Sequence, residues 1–169
     1  MHDKPVPFEW KNLWKPLHLW TVLICVILDQ GSKYLVIYTM EIGERIPVLP
    51  FLNFVHFKNK GAAFGMFHDA SPLFRLVFFG LITTACVVFL AWSIGTTPAW
   101  DKFHRFCLAL ILGGAIGNIK DRVIFQQVTD FVDVYVGTYH WPAFNVADSA
   151  ISVGVVLLLF HFIPKRKKS

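Results

Sequence analysis

GGAIGNIKDRVIFQQVTDFVDVYVGTYHWPAFNVAD, residues 113–148, carries Asn118, Asp121, Arg122, Asp130, Asp133, Asn145 and Asp148 between two strongly apolar runs. Ahead of it lies FCLALILGGAIG (106–117), and behind it ISVGVVLLLFHFI (151–163). Ionisable side chains at the edge of apolar helices cost several kcal/mol when lipid surrounds them, so they mark a functional site by default. Polar helix ends touching headgroups are the alternative for any one residue. A set of carboxylates and asparagines recurring at helical spacings argues for the site.

Outward from this stretch the chain is apolar. Of its 169 residues 55% are hydrophobic and only 16% charged, with a mean hydropathy of +0.53, more apolar than a soluble domain of this length. Windows near 17–40, 72–94, 104–125 and 144–163 are each long enough to be a transmembrane helix, so a single all-α membrane domain with four spans is expected. The net charge of +5 does not indicate nucleic-acid binding, because the basic residues flank the apolar spans and form no separate basic region. Cys25, Cys86 and Cys107 each sit inside an apolar run with no paired spacing, so neither a disulfide nor a metal site follows from them.

The first 16 residues are polar and contain Trp10 and Trp14, suited to an interface belt. No cleavable signal peptide is expected, since no small-residue cleavage site follows the first apolar run. Within that run Asp29 and Lys33 lie four apart and can pair on one helix face. Residues 41–71 form a long loop: Pro47 and Pro50 break helix, and Phe51–Phe57 alternates as a short strand would. Asn59 and Gly61 follow, the first a donor and acceptor, the second permitting close backbone approach. Gly113, Gly114 and Gly117 allow tight helix packing in the third run. Asn118, Asp121 and Arg122 then share a face, as do Asn145 and Asp148 at the start of the fourth. Lys and Arg gather in the N-terminal tail, at Lys102 and Arg105, and in the last residues. With four spans this puts both termini in the cytoplasm and both long loops outside.

Two carboxylates sharing a poorly hydrated site cannot both ionise easily; one becomes an acid beside a base. Such a pair can activate water against an amide and protonate the leaving nitrogen. It fits proton-coupled transport almost as well, although the second run has only Thr83 and Thr84 in its interior, too few polar groups for a relay through the bilayer. HExxH is absent, the seven histidines show no metal-ligand spacing, and no serine sits in GxSxG, so zinc proteases and serine hydrolases of that type are disfavoured.

Five segments taken together carry a resemblance: DQGSK (29–33), NKGAAFG (59–65), GGAIGNIKDR (113–122), VTDF (128–131) and FNVADSAI (144–151). In content and order they resemble the motif set of the bacterial lipoprotein signal peptidases, or signal peptidase II, over almost the whole chain. The resemblance implies an inner-membrane aspartyl endopeptidase without cofactor, cutting diacylglyceryl-modified prolipoproteins just before the lipidated cysteine. It implies Asp130 and Asp148 as the catalytic pair, with Asp29, Lys33, Asn59, Gly61, Asn118, Asp121, Arg122 and Asn145 as support or substrate contacts. It also implies a small periplasmic β-cradle and a surface helix, expected within 41–71, an active site near the periplasmic face, and a monomer in membrane lipid. Asp121 is the rival for the pair, read here as held by Arg122 and Asn118, and Asp133 is read as a solvated surface residue. Gln126 stands where many members of that family have glycine.

Overall fold

The computed structural model describes residues 7–13, 15–60 and 71–163. After a short 3-10 turn (Trp10–Asn12) the order is α1 (Pro16–Thr39), β1 (Arg45–Leu49), β2 (Leu52–Asn59), α2 (Pro72–Thr96), α3 (Lys102–Phe125), β3 (Val128–Val136), β4 (Tyr139–His140) and α4 (Val146–Phe162). The four apolar windows of the sequence are therefore helices, within two residues at each end. Local chemistry starts them. Proline, whose missing N–H costs nothing in the first turn, opens α1 and α2. Ser71 accepts from the Phe74 amide and Asp101 from the His104 amide, capping α2 and α3.

The small sheet expected beside the helices is present. Helices are joined by a small antiparallel sheet in the order β1-β2-β3-β4. The strand expected at 51–57 is β2, but half the sheet comes from residues 128–140, outside the loop where the cradle was expected. Asn59 pairs with Val128 and Phe57 with Asp130, so β2 draws the two halves together. Residues 41–60 contain turns and strands, and the rest of that loop, with Gly61 and any surface helix, lies outside the described residues.

Helix α3 is the central helix, packed against α1, α2 and α4. Its small residues allow this: a Cβ on Gly114 would overlap the Ala147 carbonyl of α4, and one on Gly117 would come within 2.5 Å of Asp29 Oδ2 on α1. The packing inverts that of a water-soluble protein. Ile24, Ile27, Leu28 and Leu35 of α1, Leu73, Leu81, Val88 and Phe89 of α2, and Leu159 and Phe160 of α4 are exposed. Asp29, Lys33, Asn118, Asp121 and Asn145 are buried. Among the described residues α1 is both long and apolar enough to cross a membrane; Gly80–Thr96 is an apolar stretch within α2, and Val146–Phe162 is a shorter apolar helix.

Candidate active site

The start of α4 organises the site. Asn145 Oδ1 accepts from the Asp148 amide at 3.0 Å, and Asp148 Oδ2 accepts from the Asn145 amide at 3.2 Å, a reciprocal cap that fixes both side chains. With Asn145 Oδ1 committed, its Nδ2 points away from the helix and donates to Asp130 Oδ1 on β3 at 2.7 Å. Asn145 thus holds both carboxylates, Asp148 through its backbone amide and Asp130 through its side chain. The strand is held there by the segment before α4: the Phe131 and Val132 amides donate to the Phe144 carbonyl at 3.0 and 2.9 Å.

Each carboxylate has a second amide. Asn59 Nδ2 on β2 donates to Asp130 Oδ2 at 3.0 Å, and Asn118 Nδ2 on α3 donates to Asp148 Oδ1 at 2.8 Å. The orientation of the Asn118 amide follows from charge. Lys33 Nζ, which has only donors, lies 3.0 Å from Asn118 Oδ1, so Nδ2 is left for Asp148. Lys33 is anchored by Asp29 at 2.8 Å and forms an ion pair with Asp121 Oδ2 at 2.7 Å. Asp29 Oδ1 in turn accepts from the Ala147 amide in the first turn of α4, at 3.0 Å. The chain Asp29–Lys33–Asn118–Asp148 therefore runs from α1 through α3 to α4.

The two carboxylates differ in setting. Asp130 is only 3% exposed, whereas Asp148 is half-buried. Burial pushes the Asp130 carboxyl up to about 6; the Asn59 amide opposes this, the negative charge of Asp148 adds to it, and the Asn145 amide and Lys33 hold it back. A drier carboxyl that keeps its proton towards neutral pH beside a wetter partner is the arrangement general acid–base chemistry needs. The guanidinium of Arg122 lies within electrostatic range of Asp148, Asp130 and Asp121, most strongly the first. A cavity of about 150 Å³ borders Lys33, Asp121 and Thr129 but is lined by neither Asp130 nor Asp148.

Nine of the ten residues singled out in the sequence lie in or beside this network; Gly61 lies outside the described residues. Two readings change. Asp121 is held by Lys33 and by Gln30 Nε2 at 3.2 Å, with Lys120 4.0 Å away, partners not expected from the sequence that add to the charge of Arg122. Asp133 is no solvated residue: 2% exposed, it accepts from Asn53 Nδ2 at 2.7 Å, meets His140 Nδ1 at 2.8 Å and lies 3.3 Å from Arg45 Nη1. Burial alone would raise its carboxyl, but the hydrogen bonds from Asn53 and His140 and the charge of Arg45 hold it below the ordinary range. It joins β1, β2 and β4 to β3. Gln30 was missed, although it donates to Asp29 at 2.9 Å and to the Gly117 carbonyl at 3.2 Å; its place inside DQGSK was the available signal.

Gln126 ends α3 in the left-handed conformation, φ 56° and ψ 16°, the region where glycine carries no Cβ penalty.

Comparison with known proteins bears on the whole chain. The profile of the family described as signal peptidase (SPase) II matches residues 21–164. A protein of Alteromonas mediterranea named lipoprotein signal peptidase is 46% identical over 150 residues, covering 89% of this chain and 82% of that one. The protein of the same name from Syntrophus aciditrophicus is 41% identical over 157 residues, covering 91% and 98%. A solved bacterial membrane enzyme superposes with a TM-score of 0.78 at 30% identity, over 98% of this chain and 99% of that one.

Proposed function

This chain belongs to the signal peptidase II family, the lipoprotein signal peptidases, and we propose that Asp130 and Asp148 are the paired carboxylates with which it cuts the signal peptide from lipoprotein precursors. It is a protease and a membrane enzyme. The observation that carries the assignment is Asn145, whose one side chain caps Asp148 and donates to Asp130. No other pair of carboxylates among the described residues has that arrangement: Asp121 and Asp29 are both ion-paired to the same lysine, and Asp133 is engaged with Arg45 and His140.

In the proposed reaction Asp148, the more hydrated carboxylate, takes a proton from a water held between the pair. The hydroxide oxygen bonds to the carbonyl carbon of the residue before the diacylglyceryl-modified cysteine. Asp130, protonated, gives its proton to the cysteine nitrogen as the peptide bond breaks, and the proton on Asp148 returns Asp130 to its starting state through solvent. Asn59, Asn118 and Asn145 donate to the carboxylates and so keep them in place, while Arg122 supplies positive charge near the developing oxyanion. No cofactor enters any step.

Four helices crossing the bacterial inner membrane, both termini cytoplasmic and the pair towards the periplasmic side, fit the apolar outer faces of the helices and the placement of basic residues at the other end. Helix α4, with 17 residues, rises ~26 Å, short of a ~30 Å hydrocarbon core, which suits an N-terminal Asp148 at the level of the headgroups beside a lipid-anchored substrate. We propose that the enzyme acts as a monomer in lipid. The decisive assay incubates purified protein with a lipidated precursor and follows the size shift. Asp130→Asn and Asp148→Asn are each expected to abolish cleavage while the protein stays folded, the double variant being hardly worse. Asp121→Asn is expected to lower stability and retain activity. A folded but inactive Asp121→Asn alongside an active Asp130→Asn would overturn the assignment. A reporter fused after Ser169 should read cytoplasmic, and a periplasmic reading would refute the orientation.

A further inference from the structure

At the end of the helix bundle opposite the paired aspartates, two residues from the start of α3 meet one from the end of α4. Asp101 precedes α3, His104 lies in its first turn, and His161 lies in the last turn of α4. Their ligating atoms, Asp101 Oδ2, His104 Nδ1 and His161 Nε2, lie within 4.8 Å of one another, with Asp101 2.9 Å from His161 and 3.7 Å from His104. We propose that this cluster is a binding site for a first-row divalent transition ion, zinc being the reference case, held by two imidazoles and one carboxylate.

Geometry supports it first. A tetrahedral ion with bonds of ~2.0–2.2 Å needs ligand atoms ~3.3–3.5 Å apart. Two of the three separations already bracket that value, and the third closes by small rotations of two imidazoles. Pre-organisation is the second support. Asp101 divides its oxygens: Oδ1 accepts from the His104 amide at 3.0 Å as the cap of α3, which fixes the carboxylate plane and leaves Oδ2 facing the histidines. A ligand oxygen oriented by a separate hydrogen bond is what metal sites are built with. Third, apolar walls stand beside the cluster. The Phe103 ring lies 5.5 Å from His161, and the Phe162 ring meets His104 edge-on at 5.1 Å. The ligand side chains keep 12%, 20% and 29% of their surface for Asp101, His104 and His161, so an ion can enter and a water can take the fourth position. The neighbouring cation Arg105 is turned away, its guanidinium engaged with the Thr97 carbonyl.

The ligand set favours nitrogen-preferring ions over magnesium or calcium. Both imidazoles bind in the neutral form. In the metal-free state the Nε2 proton of His161 sits against Asp101 Oδ2; on binding, that ring carries its proton on Nδ1 instead, and Nε2 faces the ion. No spacing in the sequence announces the site, because His161 lies 60 residues from Asp101. His161 lies thirteen positions along α4 from Asp148, a rise of ~20 Å, so the ion would clamp the start of α3 to the end of α4 without reaching the reaction.

The test uses the untagged full chain in detergent, stripped with chelator and dialysed, then titrated with Co²⁺ and Zn²⁺. One equivalent of Co²⁺ should give visible ligand-field bands that Zn²⁺ abolishes, and Zn²⁺ at about tenfold excess should raise the unfolding temperature by several degrees. Asp101→Asn keeps the capping oxygen and removes the charge; it should weaken binding at least about tenfold with unfolding of the metal-free protein little changed. His161→Gln should lose both the bands and the thermal shift, with cleavage by the distant aspartates retained. Equal binding by wild type and His161→Gln, or no bands and no shift in wild type, overturns the proposal and leaves Asp101 as a helix cap alone.

Discussion

Replacing Asp130 with asparagine should make the protein more stable above neutral pH while abolishing cleavage. The carboxyl titrates near 3.8 in an unfolded chain and at about 6 in the fold, and at ~1.4 kcal/mol per pH unit the ionised native group costs about 3 kcal/mol. The sign follows from the direction of the shift. The folded value is raised, so the contribution to stability is fully present below about pH 4 and is lost as pH rises through about 6. Asparagine is neutral and nearly isosteric, so the loss disappears with the charge. Part of the gain is offset. Asp130 accepts from both Asn59 and Asn145, whereas asparagine offers one carbonyl oxygen, and turning the Asn59 amide to suit costs about 1 kcal/mol. A net gain of about 2 kcal/mol at pH 8 corresponds to a rise of about 4–8 °C in unfolding temperature for a chain of this size. Near pH 4 the difference should vanish or reverse. The assay is thermal unfolding of wild type and Asp130→Asn in one detergent from about pH 4 to 8. A variant less stable than wild type at pH 8, or a difference that does not change with pH, would refute the view that burial holds this carboxyl in a poised state.

Lys33→Met leaves Asp29 and Asp121 buried without their shared cation and should cost about 3–5 kcal/mol, seen as lost yield or a lowered unfolding temperature. Asp133→Asn should destabilise by about 1–2 kcal/mol at neutral pH, with the loss shrinking in acid, because its depressed carboxyl contributes stability that fades as pH falls; an unchanged unfolding temperature would contradict the account of the sheet. Gln126→Gly should stabilise by up to about 1 kcal/mol by relieving the left-handed backbone at the end of α3, measured in the same way. Cleavage should persist in EDTA and in a variant with Cys25, Cys86 and Cys107 all replaced by alanine. Activity lost to EDTA and restored by zinc would replace the two-carboxylate mechanism.

Hydropathy and punctuation in the sequence were enough to locate four helices, because a run of some 20 apolar residues ended by proline, glycine and charge has few other solutions. Co-ordered motifs were enough to name most residues of the network, though not Gln30. The pairing of Asp29 with Lys33 was also legible, since it depends only on a spacing of four along one helix. Everything that depended on distant segments meeting was not. Lys33 joins Arg122 as a partner of Asp121 because Gly117 lets α1 approach α3 closely enough for the lysine to reach across, a contact that spacing along one helix does not reveal. Asp133 looked solvated because alternation along one strand does not reveal which face is covered; pairing with β1, β2 and β4 buried it among Arg45, Asn53 and His140. Half of the sheet, and the cluster of Asp101, His104 and His161, likewise exist only through contacts between elements that the order of the chain keeps apart. Helix formation is dictated over a few neighbouring residues, and a functional network is dictated by which helices and strands become neighbours in space.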